Sequence, residues 1–172
     1  MSLQNLQLPA SILTDLYTNY LVESSGKKSN KSEGKNVSSI ALPSLGGNAK
    51  RIVILVAEES QSFMRDTDLE WLQKMLLACN LTLGDVAIVN TYSKNISITL
   101  IKEQLKPEKI ILLGPSPTEL QLPLNFPQFK IQEHDNRTYL FAPSPRELNQ
   151  ETKEGKILKS KLWISLKQLF EV

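Results

Sequence analysis

Few side chains in this sequence could move a proton or attack a bond, and they fall in a handful of places. Two adjacent carboxylates, Glu58 and Glu59, follow the apolar run Ile52–Ala57. Carboxylates at the end of a buried strand could divide acid and base work. Neighbouring residues usually point apart, however, so a solvated loop is the plainer expectation. His134, the single histidine, precedes Asp135 in Gln132–Asn136. The carboxylate could orient it as a base, but the segment reads as a solvated turn. Without it no Ser-His-Asp set can form. One Cys and one His with no carboxylate cluster around them make zinc an unfavoured ligand. Cys79 lies in the apolar helical stretch Trp71–Asn80 and reads as an inert core thiol. Gly46-Gly47 stands before a strand, on the wrong side for dinucleotide binding, and no Gly-rich phosphate loop is present. The residues therefore assign no catalytic group, no metal ligand and no cofactor site.

Two serines share one setting. Ser116 in Ile111–Leu120 and Ser144 in Leu140–Leu148 each sit between prolines, after an apolar strand and before Glu-Leu. The first proline stops strand pairing because it has no N–H. A serine that precedes proline is pushed out of the α region, which is the backbone state of an N-cap. The second proline suits the first helical position. Glu119 and Glu147 lie where a capping-box acid belongs. A structural account thus covers every letter. The free N–H groups of a helix start could also hold a phosphate, against the competition of the capping glutamate.

These groups need a scaffold. Arg51–Ala57, Asp85–Tyr92, Lys109–Gly114 and Arg137–Pro143 read as strands, the first as a continuous β-branched run buried on both faces. Ser39–Pro43 reads as a short edge strand. Thr67–Asn80, Ile96–Pro107 and Thr152–Phe170 read as helices, the first with Thr67 and Glu70 as a capping box. At most one helical turn is expected between Pro117 and Pro123. Strands alternating with helices predict an α/β domain over residues 39–172, of three-layer α/β/α form with a four-stranded, mainly parallel sheet. Its loops at the strand C-terminal ends, Glu58–Asp66, Thr91–Asn95, Gly114–Glu119 and Pro143–Glu147, are where a site is expected, so Glu58, Glu59, Ser116 and Ser144 form one candidate loop site.

Ahead of that domain, residues 1–22 contain an amphipathic helix whose Leu8, Ile12, Leu16 and Tyr20 recur at four-residue spacing with Leu13 and Tyr17 beside them. Residues 23–38 are Ser, Lys, Gly and Asn with almost nothing to bury, which predicts a flexible linker. Its Lys27, Lys28, Lys31 and Lys35 could touch nucleic acid or be merely solvated. An apolar helix face on a tether fits a partner's groove, and Leu8, Ile12, Leu16, Tyr17 and Tyr20 are the candidate partner-binding residues; packing on the chain's own domain is the alternative. Five lysines, Lys153, Lys156, Lys159, Lys161 and Lys167, stud the C-terminal helix, as a solvated face or as a surface for an anionic partner.

The 172 residues carry a net charge of +2, which argues against a strongly basic nucleic-acid coat. A single cysteine allows no internal disulfide and fits a reducing compartment. The N-terminus lacks a charged segment followed by an apolar run, and Ile52–Ala57 is too short to span a bilayer, so a cytoplasmic protein without membrane partners is expected.

Taken in order, Ser39–Pro43, Arg51–Ser60, Gly84–Asn90 and the stretch from Ala142 to Phe170, with its Leu162-Trp163 pair, resemble the psi subunit family of the bacterial DNA polymerase III holoenzyme. The resemblance covers roughly residues 39–170. It implies a small α/β domain similar to uracil-DNA glycosylases but without their catalysis. It also implies an adaptor role: an N-terminal segment anchored to clamp-loader subunits, and a globular domain bound to a chi-like protein that contacts single-stranded-DNA-binding protein, hence only indirect contact with single-stranded DNA. The alternative it raises is a DNA repair glycosylase. Ala142–Pro145 is similar to the glycosylase His-Pro-Ser-Pro motif with Ala142 in place of the histidine, so that Glu58 or Glu59 would have to act alone.

Overall fold

The computed structural model describes residues 41–92, 96–122 and 127–172. The expected N-terminal helix, including Leu8, Ile12, Leu16, Tyr17 and Tyr20, and the linker after it lie outside the described residues, as does the start of the proposed edge strand. The compact unit runs from Ile40 to Val172.

Its elements follow the order β1 (Ile52–Val56), α1 (Asp66–Ala78), β2 (Val86–Asn90), α2 (Ile98–Leu105), β3 (Lys109–Leu113), β4 (Ile131–His134), β5 (Arg137–Ala142), α3 (Pro145–Leu148) and α4 (Lys153–Phe170). The strands form one α/β sheet in the order β2-β1-β3-β5-β4. The four strands foreseen from sequence are present and mutually parallel. The sheet has a fifth, β4, antiparallel to β5. The expected count of four is therefore corrected to five.

The fifth strand includes His134, which the sequence pattern assigns to a turn. The turn is only Asp135-Asn136, both with φ of 54°, the backbone of a two-residue hairpin of primed type. β4 is an edge strand with Gln132, Glu133 and His134 in it, so it carries no apolar run to announce itself. The edge strand expected at the other side is also corrected. Residues 41–44 make no strand, and Leu45 instead forms an isolated antiparallel bridge with Ile88. Gly46 lets the chain turn there: its φ is +113°, and a Cβ would come within 2.2 Å of the Val86 carbonyl oxygen.

β1 is buried along its whole length and β3 from Ile110 onward, which is why they lack polar alternation. Period two still sorts their side chains. Ile52, Ile54 and Val56 join Leu72 and Leu76 of α1 and Leu162, Leu166 and Leu169 of α4 in one buried cluster. Val53 and Leu55 join Ile98 and Ile101 of α2, with Leu120 and Leu122, in a second.

Helix starts follow their caps, with one exception. Ser97, Ser144 and Thr152 each accept a backbone N–H three residues on, as N-caps do. α1 does not use the proposed Thr67 and Glu70 box. It begins one residue earlier, with Arg65 at the N-cap, no side-chain cap, and the Arg65 guanidinium paired to Asp68 at 2.6 Å. Between Pro117 and Gln121 the chain makes a turn and no longer helix. Among the described residues no helix is long and apolar enough to cross a membrane.

Candidate functional site

β1 is flanked by β2 on one side and by β3 on the other, so the chain reverses its direction of travel across the sheet there. In open α/β sheets ligands bind beyond the strand C-termini at such a point. A cavity of about 420 Å³ lies at that edge, lined by the end of β1 (Val56, Ala57), the loop Glu58, Glu59, Ser60, then Met64, Tyr92 after β2, and Ser144, Pro145 and Arg146 after β5. Three of the four sequence candidates, Glu58, Glu59 and Ser144, thus share one cavity. Ser116 is not among the residues lining it.

The two carboxylates go separate ways. Glu58 Oε1 accepts the Ser60 hydroxyl at 2.8 Å. Glu59 accepts a hydrogen bond from the Tyr92 phenol, which raises the Tyr92 pKa above its ordinary value. An acid and base flanking one bond need to face a common point, and these two are spent on different neighbours.

The residue that shapes this wall is Asn90, which is not among the sequence candidates. Its Oδ1 accepts the backbone N–H of Glu58 at 3.0 Å and of Tyr92 at 3.0 Å. Its Nδ2 donates to the carbonyls of Glu58 at 2.7 Å and Gln61 at 3.0 Å. One amide therefore ties the loop after β1 to the segment after β2. Thr91 adds its N–H and hydroxyl, both donated to the Val56 carbonyl, at 2.7 and 3.0 Å. The only signal in the sequence was an amide ending the apolar run Val86–Val89.

The Pro-Ser-Pro segments work as caps, that of Ser144 on α3 at the cavity and that of Ser116 on the turn after β3. Ser144 Oγ accepts the Glu147 N–H at 3.3 Å. Ser116 Oγ accepts the Glu119 N–H at 3.2 Å, and Glu119 Oε2 accepts the Ser116 N–H at 2.8 Å, a reciprocal capping box. The two turns stand side by side but one residue out of phase. Leu113 pairs with Ala142 across β3 and β5, whereas matching the two phrases would pair Gly114 with Ala142. Gly114 has φ of +107°, and a Cβ on it would lie 3.3 Å from Ser144 Cβ, so a glycine lets the second turn pack on the first. Arg146, exposed at the rim, supplies a positive charge facing the same cavity as Glu58 and Glu59.

His134 and Asp135 lie at the opposite edge of the sheet, because β4 runs antiparallel to β5 and ends beside its start. The His134 ring sits 6.3 Å from that of Tyr139. Asp135 is held by Lys102 Nζ at 3.0 Å and Arg137 Nη1 at 2.7 Å, and the hydrogen bond from Lys102 is the main reason its pKa falls below the usual carboxylate range. Cys79 is buried, and burial raises its thiol pKa, as expected of a core residue. Among the described residues no three His, Cys, Asp or Glu side chains gather closely enough to hold a metal ion.

No protein-family profile matches the chain, and no curated protein matches it in sequence.

Proposed function

We propose that this chain is a non-catalytic adaptor of the psi-subunit kind, a three-layer α/β/α domain that works in the cytoplasm and links clamp-loader subunits to a chi-like partner. One observation carries the reading. The polar groups of the sheet's C-terminal crown are spent on holding its own loops: Asn90 on Glu58, Gln61 and Tyr92, Ser60 on Glu58, Ser144 on the start of α3 and Ser116 on the turn after β3. Ala142, in the position of the glycosylase histidine, is fully buried. A histidine could not enter there without displacing packed neighbours.

The expected result is co-purification with clamp-loader subunits and a chi-like protein. Removing residues 1–36 should abolish the clamp-loader contact while leaving the melting temperature of the domain unchanged. Retention of that contact after the truncation, or no contact with the full chain, overturns the reading.

The cavity itself favours the second reading, a glycosylase-like repair enzyme, because Glu58, Glu59 and Arg146 face a space at the topological switch point. That reading requires uracil release from DNA by the purified chain and a slower rate in Glu58→Gln.

A further inference from the structure

Helix α4 spends one face on the core and leaves an unusual outer face. Leu162, Ser165, Leu166 and Leu169 are buried. On the far side Ile157 and Ile164 are 55% and 65% exposed, two helical turns apart on one stripe. No core contact accounts for them. Four exposed lysines, Lys153, Lys156, Lys161 and Lys167, flank that stripe, the last with its ammonium 5.7 Å from the centre of the Trp163 ring, and two exposed carboxylates, Glu154 and the C-capping Glu171, share the arc. Lys159 is different: its ammonium is tied to Asn149 Oδ1 at 3.2 Å, so it serves the fold.

We propose that this arc is a docking surface for an acidic amphipathic segment of a partner protein, apolar side chains against Ile157 and Ile164 and carboxylates toward the flanking lysines. The inference rests on the adaptor reading and gives it a second surface, separate from residues 1–36. Charge complementarity selects the occupant. Four cations against two anions call for an acidic partner. Nucleic acid would match the charge, but a phosphate backbone gains nothing from two aliphatic side chains in the middle of the arc. A membrane-lying helix turns a broad apolar face to lipid, whereas the broad apolar face of α4 is already used in the core.

The experiment uses the full chain and a synthetic helical peptide as long as α4, with leucines on one stripe and glutamates beside it, followed by fluorescence anisotropy. The wild type binds, and binding weakens as salt is raised. Ile157→Ser with Ile164→Ser weakens binding at least about tenfold, and so does Lys153→Glu with Lys161→Glu. All four positions are exposed, so unchanged melting temperatures will show that the variants fold. Leu77→Ser, at an exposed apolar residue on α1, leaves binding unchanged. The proposal is overturned if the variants bind as the wild type does, or if a glutamine version of the peptide binds equally well. It is equally overturned if an oligothymidylate or phosphatidylglycerol vesicles bind this face and the peptide does not displace them, or if the face is found covered by a second copy of the chain. Failure of the peptide beside successful clamp-loader capture sinks this surface alone, while the converse sinks the adaptor reading's anchor and leaves the surface standing.

Discussion

Asn149 Nδ2 donates to Asp68 Oδ1 at 3.0 Å, joining residues 81 positions apart and fastening the end of α3 to the first turn of α1. The Asp68 side chain is only 1% exposed, and its other oxygen accepts from the Arg65 guanidinium at 2.6 and 2.8 Å. Lys159 closes the set from α4 through Asn149 Oδ1, its ammonium lying 5.9 Å from the centre of the Trp71 ring. A carboxylate taken out of water survives only with such partners. Asp68→Ala should therefore cost about 2–4 kcal/mol and Asn149→Ala about 1–3 kcal/mol. Urea denaturation measures both. Coupling appears as a double variant that loses less than the sum of the singles, and strict additivity would mean that the contact does not exist in solution.

Gly155 reverses an ordinary rule. Replacing glycine inside a helix with alanine usually gains up to about 1 kcal/mol. Here the new Cβ would lie 2.2 Å from the Gln150 carbonyl oxygen, a backbone atom that cannot step aside alone. Gly155→Ala should lose about 1–2 kcal/mol in the same denaturation assay, the cost of overpacking. A stabilised variant would show that the turn before α4 yields to the added methyl group.

The Pro-Ser-Pro caps can be weighed directly. Ser144→Ala removes the acceptor for the Glu147 N–H and should cost about 1 kcal/mol, while Ser144→Asp retains an acceptor and most of the stability. The equivalent change at Ser116 should cost a similar amount. Were Ser144→Ala neutral to stability yet harmful to partner or ligand binding, the turn would be a site and not a cap.

Asp135 predicts part of the acid sensitivity. Its folded-state pKa is depressed, chiefly by the Lys102 hydrogen bond and charge, with Arg137 and His134 adding smaller effects. A depressed carboxyl contributes stability above its unfolded-state pKa and loses it as pH falls through the folded-state value, so the window lies below about pH 4. Melting temperature recorded through that window should fall less steeply for Asp135→Asn than for the wild type. The flattening will be partial, because Asp85 is also depressed, by hydrogen bonds from Thr82. Identical slopes would contradict the assignment.

Within the crown cavity, the hydrogen bond from Tyr92 to Glu59 can be read spectroscopically. It holds the phenol's pKa above its ordinary value. Glu59→Gln removes the charge, and the Tyr92 resonance in a pH titration of labelled tyrosines should then ionise at lower pH. An unmoved titration would mean that Glu59 faces solvent and is free for other work.

Much of the scaffold can be read from the chain alone. β1, β2 and β3 are recognisable because strands covered on both faces are apolar almost throughout, as Ile52–Val56, Val86–Val89 and Ile110–Leu113 are, while β5 shows only the apolar end Tyr139–Ala142. The caps at Ser116 and Ser144 are recognisable because a cap is a local bond, completed within three residues. Glu58, Glu59 and Ser144 were placed at one sheet edge by topology alone, since they follow parallel strands.

What escaped the sequence depended on partners far along the chain. β4 is a strand only because β5 offers it an edge, and its own Gln132, Glu133 and His134 have no periodicity that says so. Asn90 organises a loop 29–32 residues away, and α1 begins at Asp66 because Arg65 and Asn149 meet Asp68, not because a capping residue precedes it. Local patterns record which segments must be buried and where helices start. Which polar groups find each other across the fold is decided by packing, because a hydrogen bond is satisfied by geometry and leaves no fixed spacing in the chain.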